Sequence, residues 1–380
     1  IQQAMQQDRL DAIVVIQRAD LFYFSGTAQN GLLFIPAQGT PLLFIRKYLP
    51  RARLESPLTN IIGIGSIKQV PDLIQEHHGS VPDVIGLELD VIPANDFEFY
   101  RSLLKSCRYT DASYAILNVR KLKSDWEIAQ MAHTAECSRR TFAYMRRIIR
   151  PGLTEMEFAG MFETYARRLG HGGQLQVRNY QALGYPWHVL SGVSGGMVGL
   201  LDSPASGQGS SAAFPCGAGP KKLAPGEPIM VDMGFVCNGY HMDETRMFAI
   251  DALPEKATRA SQVAIDIHDA VIAECRPGVR AATLYNIAVK YAADRGYAEQ
   301  FLGPPDQKVR FIGHGIGLEL IEPPYIAKGK QDRLQPGMTL AIEPKMVFEG
   351  EYAVGIESVV QITSNGPRLL SQIPVQHFVC

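Results

Sequence analysis

The sequence predicts an α/β (α+β) protein of two domains, the second assembled from two related helix–strand halves. Three observations carry this. Over residues 1–117 short apolar runs of strand character alternate with amphipathic helical stretches. From 118 to 380 the pattern shifts to capped helices that lead into glycine-rich sequence and strands. Within that second part, RPGLTEMEFAGMFETYARRLG at 150–170 aligns without gaps to RPGVRAATLYNIAVKYAADRG at 276–296. Arg-Pro-Gly, the Tyr-Ala pair at Tyr165 and Tyr291 and the closing glycine all coincide, as expected of a duplicated unit with a cleft between its halves.

The elements follow in order. The opening IQQAMQQDRLDAIVVI lacks a methionine, suggesting that a few residues precede it, and reads as a short amphipathic helix feeding a strand, not a secretory signal. DAIVVI, GLLFIPAQGTPLLFI, NIIGIG and VIGLELD read as strands, the second a hairpin turning at Gln38-Gly39. VPDLIQEHH and ANDFEFYRSLLKS read as helices, with His77 and His78 at a polar, solvated helix end. No phosphate-binding glycine loop occurs here. Ser124 with Glu127 forms a capping box that opens a helix running to Pro151-Gly152, and Thr154 with Glu157 opens the next, which ends at Gly170.

Composition narrows the function. At 380 residues there is length for two domains, and 46% hydrophobic with 20% charged residues is ordinary for a soluble globular chain. A net charge of −1 and no basic run leave nothing to recruit nucleic acid or an anionic membrane. No apolar stretch is long enough to span a bilayer. The six cysteines are scattered without a CxxC pair, which suits free thiols, a reducing compartment and hence the cytoplasm.

The chemistry lies in five residues. In IMVDMGFVCNGYHMDETRMF, Asp232 and Asp243 flank Asn238-Gly239, a hairpin signal that brings both acids to one side of paired strands. His314 follows in FIGHGIGLE, Glu343 in TLAIEPKMVF and Glu357 in YAVGIESVVQIT, both glutamates interrupting apolar runs. Taken singly, a strand carboxylate usually faces solvent and a histidine between glycines is usually a turn residue. Four converging carboxylates without cations would repel and become largely protonated, whereas two divalent cations would neutralise them. Lysines or arginines ion-paired to these acids would remove the premise.

In order and local context, VDMG, GYHMDETR, GHGIGLE and IEP resemble the signatures of the pita-bread metallopeptidases, which include methionine aminopeptidase, aminopeptidase P, prolidase and the metal-free creatinase. Residues 1–117 look like the creatinase/prolidase-type N-terminal domain, and 118–380 like the pita-bread catalytic domain. The resemblance implies that Asp243 and Glu357 bridge two ions, that Asp232 completes one shell, and that His314 and Glu343 complete the other. Oxygen-rich ligation with one imidazole suits Mn²⁺, Co²⁺ or Fe²⁺, with Zn²⁺ admissible. Glu343 would then be the catalytic proton carrier. A homodimer is implied as well.

Three positions depart from the pattern and bear on substrate binding. Cys216, in AAFPCGAG, stands where the Xaa-Pro enzymes carry the histidine of a Pro-His pair. Ile321, in GHGIGLELIEPP, stands at a second active-site histidine, and Gly355 where an arginine is common. Isoleucine cannot donate a hydrogen bond and a thiol donates poorly. A replacement donor is sought in residues 179–220; His188 is preferred, while His241 is expected on the sheet face away from the metals. The Gly/Ser-rich stretch 191–220 reads either as a lid or as a passive surface insertion.

The leading expectation is a metal-dependent exopeptidase of aminopeptidase P or prolidase type acting on small peptides. A metallohydrolase of the same fold acting on another small amide or C–N compound is the first alternative, and a non-catalytic binding protein the second.

Overall fold

β-branched and leucine-rich runs build the first sheet of the computed structural model, which describes residues 1–178, 187–201 and 203–380. Helix α1 (Gln2–Gln7) leads into β1 (Ala12–Val15), and α2 (Arg18–Ser25) follows. Strands β2 (Gly31–Pro36) and β3 (Leu42–Ile45) form the expected hairpin, with Gly39 at φ +102° in its turn. That left-handed backbone is open to glycine at little cost. Then come α3 (Leu49–Glu55), β4 (Ile61–Gly63), α4 (Val70–His78), β5 (Val84–Leu87), α5 (Ala94–Leu103), β6 (Arg108–Asp111) and α6 (Ser113–Arg120). Strand order is β4-β3-β2-β1-β5-β6, with β1 antiparallel to β2 and parallel to β5. Helices α2 and α3 and strand β6 are additions to the sequence reading. His77 is exposed, and His78 rests against the Phe34 ring.

These elements form one of two compact units, Ile1–Arg120, and Arg178 belongs with it. Its fully buried Asp20 accepts from Arg120 Nη1 at 2.6 Å and from Arg178 Nη1 at 2.6 Å. Burial opposes the charge on Asp20, but the two guanidiniums outweigh it and hold the carboxyl below its usual range. Neighbouring Glu88 goes the other way, pushed up by burial and by Asp20, while its Oε2 accepts the Ile16 and Gln17 backbone N–H groups.

The second unit carries the rest. Both capping boxes form: Ser124 with Glu127 opens α7 (Asp125–Ile148), and Thr154 with Glu157 opens α8 (Glu155–Arg168). Then follow β7 (Trp187–Ser191), β8 (Ile229–Cys237), β9 (Tyr240–Ala249), α9 (Glu255–Ala273) and α10 (Ala281–Asp294). The chain closes with β10 (Phe311–Gly315), β11 (Glu322–Ala327), β12 (Thr339–Ile342), β13 (Lys345–Phe348), β14 (Tyr352–Gly355), β15 (Ser358–Thr363), β16 (Gly366–Leu369) and β17 (Phe378–Val379). One sheet runs β17-β9-β8-β7, a second β11-β10-β12-β15-β16, and β13 pairs with β14 alone. The repeated segments are α8 and α10 with their entry turns. Helix α7 packs on α8 and covers β8 and β9, while α9 packs on α10 and covers β12, β13 and β14. A pair of helices over strands therefore occurs twice, as the internal repeat predicts. No helix among the described residues is long and apolar enough to cross a membrane, and all six cysteines are free.

Replacing Arg120 by alanine should lower the stability of the first unit by about 3–5 kcal/mol, because Asp20 would lose a buried counter-charge. A fall in urea midpoint with an unchanged denaturant slope is the expected readout, and an unchanged midpoint would refute it.

Candidate metal centre

The β8–β9 hairpin sets the first two acids. Asn238 and Gly239 both have positive φ, 52° and 84°, the backbone that a two-residue turn between twisted strands requires. Asp232 lies opposite Thr245 and Gly234 opposite Asp243, so Asp232, Thr245 and Asp243 share one side of the sheet. In β7, His188 lies opposite Asp232. The other sheet supplies the remaining three. His314 pairs with Ala341 of β12, Glu343 follows that strand directly, and Glu357 immediately precedes β15, whose Ser358 pairs with Ile342. A backbone bond from Glu357 N–H to the Thr245 carbonyl at 3.1 Å joins the two sheets at this point. Glycines flank His314 because a Cβ at either would lie 2.2 Å from a neighbouring carbonyl oxygen, of Ala341 or of Pro323. They admit the adjacent strands rather than a ligand.

Asp243, His314 and Glu357 are all buried, and each offers one ligand atom within 4.8 Å of the others. His314 Nε2 lies 3.8 Å from Asp243 Oδ2 and 3.6 Å from Glu343 Oε1, too far for hydrogen bonds but suited to a shared cation. His314 Nδ1 faces the Gly315 carbonyl at 3.0 Å; donating there leaves Nε2 with its lone pair toward the acids. Thr245 Oγ1 donates to Glu357 Oε2 at 2.8 Å and fixes that carboxylate.

A sixth residue completes the cluster. The Lys345 side chain, 2% exposed, places Nζ 2.8 Å from Asp232 Oδ2, 2.7 Å from Glu343 Oε2 and 3.8 Å from Glu357 Oε2. The ion pairing that would count against a metal centre is therefore present for Asp232 and Glu343. The ammonium reaches Glu357 only at 3.8 Å, beyond hydrogen-bond distance. Burial pushes Asp232 up, but Lys345 and His188 outweigh it and hold the group below the usual carboxylate range. Asp243 is raised well above that range by burial and by Asp232, and Glu357 by burial and by Asp243. One ammonium does not balance the cluster.

Comparison with known proteins bears on this arrangement. The model of metallopeptidase family M24 matches residues 129–364, and that of the creatinase/prolidase N-terminal domain matches 1–122. The chain belongs to metallopeptidase family M24. It is 24% identical to an Xaa-Pro dipeptidase of Pyrococcus furiosus over 378 residues, 97% of this chain and 95% of that one. Among solved structures, an Xaa-Pro dipeptidase from Bacillus anthracis superposes with a TM-score of 0.85 at 20% identity, covering 100% of this chain and 98% of that one. An X-Pro aminopeptidase from Thermotoga maritima gives 0.83 at 22%, with the same coverage. M24 membership implies a divalent metal cofactor. The carboxylate and imidazole donors of Asp243, His314 and Glu357 fit such an ion.

The remaining expectations fare differently in this M24 chain. His188 does face the cluster, its Nδ1 3.6 Å from Asp232 Oδ2. His241 shares the parity of Asp243 in β9, so the expected opposite side is corrected; its ring instead meets the Gln176 N–H and the Gly317 carbonyl. Cys216 is fully buried, and burial pushes its thiol up, away from the reactive thiolate. Ile321 is 43% exposed just before β11. Gly355 ends β14 opposite Lys345. Residues 179–186 and 202 of the donor region lie outside the described residues.

Sequence reasoning missed Lys345 and Arg246. The signal for both was a basic residue inside an apolar strand, in KMVF and in TRMF. Arg246 is fully buried and donates to the carbonyls of Glu357, Thr245, Ile373 and Pro374, fixing the backbone that carries Glu357. The 191–220 stretch is anchored by Glu155 of α8, whose carboxylate accepts from Ser191 N–H and Oγ, from Ser194 Oγ and from Gly219 N–H. A Cβ at Gly196 would lie 2.7 Å from the Glu351 nitrogen, so the stretch sits backbone to backbone on the β13–β14 hairpin.

Glu155→Ala should release this anchorage. Amide exchange at Ser191 and Gly219, the two backbone donors to this carboxylate, is expected to accelerate at least about tenfold, given about 1.5–3 kcal/mol for hydrogen bonds to a charged group. Unchanged protection at both amides would show that the carboxylate is not the anchor.

Proposed function

We propose that this M24 chain is a metal-dependent exopeptidase of Xaa-Pro type, acting on small peptides. The observation that carries the proposal is the buried meeting of Asp243, His314 and Glu357, with Glu343 beside them, in a chain matched over nearly its whole length by an Xaa-Pro dipeptidase. Asp243, His314 and Glu357 hold the ion; Mn²⁺, Co²⁺ and Fe²⁺ suit the donor set, with Zn²⁺ admissible. When bound, a divalent ion lowers the pKa of a coordinated water towards neutrality and polarises a carbonyl.

The residues around it do the rest. Glu343 has one oxygen held by Lys345, while Oε1 faces His314. That oxygen accepts the proton of the attacking water and passes it to the leaving amine. His188, oriented by Asp232, donates to the oxygen on which negative charge develops. It takes the part for which Cys216 and Ile321 are unsuited. The six free thiols support a reducing, cytoplasmic setting, and a homodimer is part of this reading.

A second reading, hydrolysis of a non-peptide amide or other C–N bond by the same centre, is favoured by the burial of Cys216 and the apolar Ile321. An assay of Mn²⁺- and Co²⁺-loaded protein on Xaa-Pro dipeptides and longer peptides separates the two. Cleavage is expected, lost in Asp243→Asn and reduced about 10²–10³-fold in kcat by His188→Ala. Metal uptake without cleavage of any peptide would transfer the assignment to the second reading.

A further inference from the structure

We infer that Lys345 is a built-in cation of this centre: its ammonium holds the position between Asp232 and Glu343, and the site takes one divalent ion, at Asp243, His314 and Glu357. The place of the lysine is a matter of geometry, whereas the single ion rests on the metal-dependent reading above.

The ammonium is enclosed. It contacts Asp232 Oδ2 at 2.8 Å and Glu343 Oε2 at 2.7 Å, with Glu357 Oε2 at 3.8 Å. Buried cations are retained only when such partners surround them. Asp232 Oδ2 is thereby engaged. An ion bound through that oxygen at about 2.0–2.2 Å would lie within about 5 Å of the ammonium and be repelled by it. Asp243, His314 and Glu357, whose ligand atoms lie within 4.8 Å of one another, have no ammonium within hydrogen-bond distance and are the groups best placed to share an ion.

The fold accommodates this lysine specifically. Lys345 opens β13 and lies opposite Gly355 in the β13–β14 pair. A Cβ at Gly355 would approach Lys345 Cγ to 2.6 Å, so only glycine leaves that passage open. Glycine at 355, where the sequence pattern of the pita-bread enzymes often has arginine, is thus the steric counterpart of lysine at 345. Asp232 becomes, on this account, the partner of Lys345 and His188 rather than a metal ligand. One ion and one ammonium bring three positive charges to four carboxylates.

The test counts metal. Full-length protein is stripped with chelator, equilibrated with Mn²⁺, freed of excess and assayed by elemental analysis and electron paramagnetic resonance. One Mn²⁺ per chain with an isolated six-line spectrum is expected, and two per chain with an exchange-coupled spectrum in Lys345→Gly. Asp232→Asn should keep its single ion, and Asp243→Asn should lose it. Two ions in the unsubstituted protein would overturn the inference while leaving the proposed function standing, as would one ion in both proteins if circular dichroism shows Lys345→Gly folded. No ion in any of the proteins would overturn the proposed function with it. Should Lys345→Gly fail to fold, the count in the unsubstituted protein decides.

Discussion

Crowded negative charge is the constraint on which the second unit turns. Asp243, Glu343 and Glu357 are buried and Asp232 is partly so, and an unopposed buried carboxylate is either neutralised or destabilising. The chain answers part of this demand with a lysine from its own β13. The two acids of β8 and β9 shift in opposite directions: burial is outweighed by Lys345 and His188 at Asp232, whereas burial and Asp232 together raise Asp243. The donors of Asp243, His314 and Glu357 lie within 4.8 Å of one another, and their chemistry fits a divalent cation.

The scaffold carries these groups without relying on a loop. Each acid sits within a strand or at its end, and the two sheets that bear them are joined where Arg246 and Thr245 reach Glu357. Arg246 donates to four backbone carbonyls and the Ser358 hydroxyl, so it orders the chain around the centre while standing outside it. Glu155 plays the corresponding part for the glycine-rich stretch. Its buried carboxylate gathers hydroxyl and amide donors, which is why a segment of loop composition is held tightly at Ser191, Ser194 and Gly219. The choice between lid and passive insertion thus yields to an anchored segment lying on the β13–β14 hairpin.

Much of this was legible in the order of residues. Capping boxes at Ser124 and Thr154, the hairpin turns at Gly39 and Asn238-Gly239, and the repeat spanning α8 and α10 are local signals, and the structure honours them. Short elements such as α2, α3 and β6 lacked comparable periodicity and went unread. The parity of His241 was available from sequence and was misassigned, although its hydrogen bonds to Gln176 and Gly317 depend on distant loops.

What the sequence by itself determined is the inventory: two units, a duplicated second unit, and four acids and an imidazole in an order that resembles the M24 signatures. Local propensity and side-chain period suffice for that, because both are properties of neighbouring residues. Only the tertiary structure decided how the acids are compensated. Lys345 and Asp232 are separated by 113 residues and meet because two sheets converge, and Gly355 matters only because β14 lies against β13. Charge compensation depends on distances through space, which no reading along the chain supplies.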